Sequence, residues 1–197
     1  MTTELLAGLI GFAFVSSITP GPNNMMLMAS GTNFGIRQTV PHMLGVALGF
    51  GLMVGLVGIG LMGLFDLWPL SHTIIKWAGV AYLVWLAVKI ARSGPLEEGS
   101  AKARPFTFVQ AAAFQWVNPK AWTMALGAIA AFAPQRDLAG VGLVALVFTL
   151  VNFPSVSTWA MLGHGLGGWL QDPRQLRLFN YGMAALLLAS LWPAIMG

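Results

Sequence analysis

Long apolar runs dominate the 197-residue sequence: Leu5–Met28, Val40–Leu64, Ser71–Ile90, Phe108–Phe132, Leu138–Leu162 and Leu178–Met196. Each is close to the roughly 20 residues that a helix needs to cross the hydrocarbon core of a bilayer. None alternates apolar with polar positions, as a barrel strand of about 10 residues must. Only 8% of the residues are charged and 57% are hydrophobic, against roughly 25% and about 45–50% in soluble domains. So few charges cannot cover a soluble surface of this size. The runs predict an all-α integral membrane protein with six transmembrane helices and lipid as its main solvent.

Two runs contain what a lipid-embedded helix should avoid. Thr19–Gly31 reads TPGPNNMMLMASG, and Gln115–Gly127 reads QWVNPKAWTMALG. Each places Asn beside Pro within the run, followed by a Met, Leu and Ala stretch that ends in Gly. Proline removes an amide donor and frees a carbonyl one turn back. In hydrocarbon that carbonyl must find a partner or line a wet cavity. Pro20, Gly21, Pro22 and Pro119 are therefore the predicted helix breaks. The motifs lie in runs one and four, an odd number apart, so they enter the membrane from opposite faces. That is the pattern of a 3+3 inverted-topology repeat with discontinuous helices at matched positions. Residues 1–90 form the first three-helix repeat, 91–107 a polar linker and 108–197 the second repeat, within one transporter domain. Proline kinks also serve packing alone, which is the competing reading of either motif by itself.

Polar side chains at the breaks are the candidate solute ligands: Asn23, Asn24, Gln115, Asn118 and Lys120. The asparagines can satisfy broken backbone or face a solute. Lys120 is well inside its run, where a charge is costly. It reads as a ligand for a carboxylate, as a titrating amine, or as a snorkelling side chain. Lys76, near the start of its run, reads as snorkelling. His42, beside Pro41, is a candidate for proton coupling, and equally a structural histidine near an interface. His72 and His164 lie close to loops. In the fifth run, Asn152, Pro154, Ser155, Ser157 and Thr158 make a second polar stretch. It either faces the same cavity or bonds back to its own helix. Gly45, Gly49, Gly51, Gly55, Gly58 and Gly60 suit close helix packing, and Gly-rich faces permit a homodimer. Trp68, Trp77, Trp169 and Trp192 read as interface anchors.

The distribution of charge assigns sides. Arg37, Lys89, Arg92, Lys102, Arg104, Arg174 and Arg177 fall in the connections after runs one, three and five, and only Arg136 falls in the opposite set. The positive-inside rule makes the first set cytoplasmic, with both termini outside. The first run has no basic leader and is not a cleaved signal on this reading. Scattered basic residues give no nucleic-acid face despite a pI near 10.0. The chain has no cysteine, which removes disulfides, thiol chemistry and thiolate metal sites. Glu4, Asp66, Glu97, Glu98, Asp137 and Asp172 all lie at run ends or in loops, so neither a metal site nor the usual carboxylate-based ion coupling is indicated.

At these residues the sequence resembles the lysine-exporter and homoserine/threonine-resistance family, LysE/RhtB. The resemblance is carried by TPGPNN at Thr19–Asn24, GTNFG at Gly31–Gly35, GVALGF at Gly45–Phe50 and the run Lys76–Ile90. NPKAW at Asn118–Trp122 and RLFNYGMAALLL at Arg177–Leu188 complete it. It covers nearly the whole chain. It implies a multi-pass protein of the bacterial inner membrane that exports amino acids or their derivatives, driven by the proton gradient, with no cofactor.

Two other functions compete on the residues alone. A membrane-embedded enzyme needs a nucleophile and base or metal ligands at compatible positions. Ser17, Ser155 or Ser157 with Lys120 is the only arrangement in view, and nothing marks it. A channel needs rings of carbonyls or charges, of which a single deep lysine is little sign.

Overall fold

The computed structural model describes residues 2–61, 70–92, 104–135, 137–168, 170 and 172–190. Trp68, Trp169, Trp192, most of the predicted linker and the end of the sixth run lie outside them, as does the side chain of His72. All secondary-structure elements of the described residues are helical, without strands. In chain order the elements are α1 (Thr3–Ile18), α2 (Pro22–Leu56) with a π-helical turn (Val57–Leu61), and α3 (Leu70–Ala91). Then come α4 (Phe108–Phe114), a 3-10 turn (Gln115–Val117), α5 (Pro119–Phe132), α6 (Leu138–Gly167) and α7 (Pro173–Ala189).

Local chemistry explains the starts and stops. The Thr2 hydroxyl accepts from Leu5 N and begins α1. α1 stops because Thr19, which precedes Pro20, takes an extended ψ of 137°. Pro22 then opens α2 at a first-turn position, where a missing N–H costs nothing. The second break repeats this device. Asn118 is extended, its side chain caps α5 by accepting from Lys120 N at 3.1 Å, and Pro119 occupies the first turn. Thr107 and Gln110 form a reciprocal capping box that starts α4. Asp137 and Asp172 cap α6 and α7.

α2 is two helical pieces joined at Gly35, whose φ of 76° is open to glycine at little cost. The sequence reading ended the first run at Met28 and began the second at Val40. The helix instead continues past Met28 to this kink, because only Gly35 breaks the backbone there. α6 likewise runs on to Gly167, beyond Leu162, and α7 begins at Pro173, ahead of Leu178.

α2 and α6 form the main helix pair, and small residues bring their backbones together. A side chain on Gly31 would strike the Ala160 carbonyl, and one on Gly163 the Met28 carbonyl. Thr32 Oγ1 donates across this contact to Gly163 O at 2.8 Å. Gly45 and Gly49 lie against Phe108 and Ala112 of α4, and Gly51 against Thr149. These glycines pack within the chain.

Two apolar cores result. One gathers Met25, Leu27, Val46, Leu83, Phe114, Val156 and Leu187 from α2, α3, α4, α6 and α7. The other gathers Leu9, Ala13, Phe50, Val54, Ala125, Ile129 and Phe148 from α1, α2, α5 and α6. Both mix residues from 1–90 with residues from 108–197. Outside them, large apolar side chains such as Val15, Leu52, Val109 and Leu150 are exposed, an arrangement suited to lipid. Among the described residues, Pro22–Gly60 and Leu138–Gly167 are long and apolar enough to cross a membrane, and α1 is a shorter apolar helix. The protein is an all-α membrane protein.

Candidate functional site

The last turn of an α-helix leaves four carbonyls without partners in the helix. At the end of α1 side chains from three helices take up such carbonyls, of which that of Ser17 belongs to a buried residue and those of Thr19 and Pro20 to exposed ones. Asn24 Nδ2 donates to Ser17 O at 2.9 Å and to Thr19 O at 2.8 Å. Trp159 Nε1, on α6, donates to Ile18 O at 3.0 Å. Lys120 Nζ, on α5, donates to Thr19 O at 2.6 Å and to Pro20 O at 3.4 Å. The Thr19 hydroxyl turns back to Val15 O.

The two breaks therefore face each other. A second link joins them: Asn23 Nδ2 donates to Gln115 Oε1 at 2.9 Å, and Gln115 Nε2 returns a bond to Asn23 Oδ1 at 3.2 Å. Gln115 also donates to Ala111 O at 2.8 Å and is fully buried. Gly21 has an extended backbone that any residue could adopt, so its role is space. A side chain there would lie 2.7 Å from Lys120 Cδ.

Between the breaks is a cavity of about 20 Å³. All five candidate ligands, Asn23, Asn24, Gln115, Asn118 and Lys120, line it together with Gly21. Ser16, Ser17 and Asn152 add polar groups, and Phe50, Met124 and Val156 are among the apolar walls. A volume of this size holds about one water, too little space for an amino acid. The side chains expected to face a solute are bonded to protein here. Asn24 and Lys120 hold the first break, Asn118 caps the second, and Asn23 pairs with Gln115.

His42 is not part of this cavity. It is buried, its ring stacks on Phe106 with centroids 5.2 Å apart, and neither ring nitrogen has a hydrogen-bond partner. Ser155, Ser157 and Thr158 bond back to carbonyls of their own helix, so of the polar stretch in α6 only Asn152 and Ser155 are buried and only Asn152 lines the cavity. Among the described residues no three His, Asp or Glu side chains cluster as a metal site.

Sequence reasoning missed Trp159 as a cap and Ser17 as part of the cavity. It also missed a second reciprocal amide pair, Asn33 with Asn180, at 2.9 and 3.2 Å, which ties α2 near its kink to α7. The only available signal was that GTNFG and RLFNYG each carry an asparagine within an apolar run.

A family model described as LysE type translocator matches residues 14–190. The cysteine/O-acetylserine efflux protein of Escherichia coli (strain K12) is 36% identical over 168 residues, which is 83% of this chain and 85% of the relative. The protein of the same name from Shigella sonnei (strain Ss046) matches with the same identity and coverage. No solved structure matches significantly. With the break motifs, the cross-linked helix ends and a family match from residue 14 to residue 190, this chain belongs to the LysE type translocators, which are transporters and not enzymes.

Proposed function

We propose that this protein exports small amino acids or amino-acid derivatives across the bacterial inner membrane, by alternating access around the cavity between the two breaks. The observation that carries this is the bond from Lys120 to the carbonyls of Thr19 and Pro20, which joins two discontinuous helices across a polar cavity. Breaks of this kind mark solute sites in transporters built from repeats. The relatives named for cysteine and O-acetylserine efflux support the substrate class. The small cavity, cross-linked by Lys120 and by the Asn23–Gln115 pair, fits a state without room for solute, which opens to one face at a time as the cross-links part.

The repeat of residues 1–90 and 108–197 is supported by packing that comes in exchangeable sets. α1 packs on α6, and α4 with α5 packs on α2. The pairs α2 with α6 and α3 with α7 exchange with themselves. Six crossings, termini outside and a cytoplasmic linker complete the reading, which rests on the distribution of Lys and Arg. Energy comes from the proton gradient.

The test is counterflow of labelled cysteine or O-acetylserine in proteoliposomes, with and without an imposed pH gradient. Saturable flux that responds to the gradient is expected. Conductance steps in a planar bilayer, without saturable counterflow, would replace the transporter with a channel.

A further inference from the structure

The cavity contains two polar side chains that neither break uses. Ser17, on α1, is 4% exposed, and its Oγ has no hydrogen-bond partner. Asn152, on α6, is 5% exposed and lines the same cavity, and no bond ties its side chain to either break. Both line the cavity. Buried polar groups in proteins are almost always paired, and leaving one unpaired is unfavourable unless something else bonds it. Every other amide at the breaks already has a protein partner: Asn24, Asn118 and the Asn23–Gln115 pair. These residues hold the helix ends. Ser17 and Asn152 hold neither break.

We infer that Ser17 and Asn152 are the side chains that read the transported solute, and that they select an uncharged side chain bearing a hydroxyl, ester or comparable hydrogen-bonding group. This rests on the exporter reading above. A serine hydroxyl both donates and accepts, and so does a carboxamide. Together they can bond such a group from two sides, one from α1 and one from α6. A cationic side chain has no counter-charge, because no carboxylate is among the residues lining the cavity. An aliphatic one bonds neither group. Phe50, Met124 and Val156 supply apolar contact for the remainder of the solute.

The experiment compares rates of counterflow in proteoliposomes for serine and O-acetylserine against 2-aminobutyrate and lysine. The wild type should favour the first two at least tenfold. Ser17→Ala and Asn152→Ala should bring the ratio of serine to 2-aminobutyrate towards one, with unchanged melting temperature. An unchanged ratio in both variants, or lysine transported as fast as serine, overturns the assignment and leaves the exporter reading intact. A wild type that moves no amino acid overturns both. Ser17→Cys gives a second measurement that does not need flux. In this cysteine-free chain its thiol should react with a small methanethiosulfonate reagent more slowly in O-acetylserine than in lysine. Equal rates overturn the assignment.

Discussion

Lys120 Nζ lies 2.6 Å from the carbonyl oxygen of Thr19, a residue 101 positions earlier in the chain. A lysine in the first turn of α5 thus completes the C-terminus of a different helix. Cations favour that end, where the helix dipole is negative. Lys120→Met should cost at most about 1 kcal/mol of stability, because Thr19 O keeps its bond from Asn24 and Pro20 is exposed. Export per folded molecule should fall sharply. The checks are melting temperature in detergent and export rate normalised to folded protein. Wild-type export by Lys120→Met would leave the lysine with a structural role only. Lys120→Arg should also fail, since a planar guanidinium cannot place one compact donor on two adjacent carbonyls.

Gly21→Ala tests the same contact from the other side. Its Cβ would lie 2.7 Å from Lys120 Cδ and 3.2 Å from Nζ. The backbone at Gly21 is extended, with φ −177°, so alanine brings no backbone strain. The lysine must move instead. Export should fall severalfold with a smaller loss of stability than in Lys120→Met. Normal export would show that the amine can shift without consequence.

Asn24 makes two bonds from a single side chain, to Ser17 O and Thr19 O. Asn24→Leu should lower both the amount of folded protein and export. Thr19 O keeps its bond from Lys120, so the loss falls on Ser17 O and costs about 1–2 kcal/mol. Asn118→Leu removes only a cap on Lys120 N and should be milder, about 1 kcal/mol. Thermal unfolding of the two variants side by side tests the order.

His42 was a candidate for proton coupling, and it sits apart from the cavity against Phe106. Phe106 in turn lies 5.8 Å from Lys89 Nζ and packs edge-on to Tyr82. A ring with no hydrogen bond and full burial is held by packing. His42→Phe should therefore fold and export with the same dependence on external pH as the wild type. A flat pH profile at normal expression would instead make His42 the coupling group.

The assigned orientation is tested in the linker. Cysteines introduced at Ser93 or Ser100 should react with an impermeant maleimide only after the cytoplasmic face is exposed. Labelling in intact cells would reverse the topology.

The breaks were legible in the sequence because helix-ending residues cluster there: Pro20, Gly21 and Pro22 in one, Asn118 with Pro119 in the other, whereas the single prolines Pro41 and Pro154 stay inside α2 and α6. The sharing of one cavity by Asn23, Asn24, Asn118 and Lys120 was expected from reading the two breaks as a matched pair. Their hydrogen-bond partners were not legible. Lys120 and Trp159 bond to main-chain oxygens of Thr19 and Ile18, and a carbonyl is the same whatever residue bears it. The kink at Gly35 was hidden for a related reason. Apolar periodicity continues on both sides of it, and only the backbone angle distinguishes this glycine from those that serve packing. Helix ends were misplaced where capping residues, such as Asp172 before Pro173, extend a helix into polar sequence.

The end of α1 also sets an order of events during biosynthesis. Asn24 satisfies Ser17 O and Thr19 O from within the same stretch of chain, as soon as that stretch leaves the ribosome. Ile18 O and Pro20 O must wait for Trp159 and Lys120, which are translated 141 and 100 residues later. The nascent first half therefore enters the bilayer with two carbonyls open, at a site the insertion machinery or water must shelter. Only the arrival of the second half closes it, so a chain truncated before Lys120 should remain a substrate for membrane quality-control proteolysis.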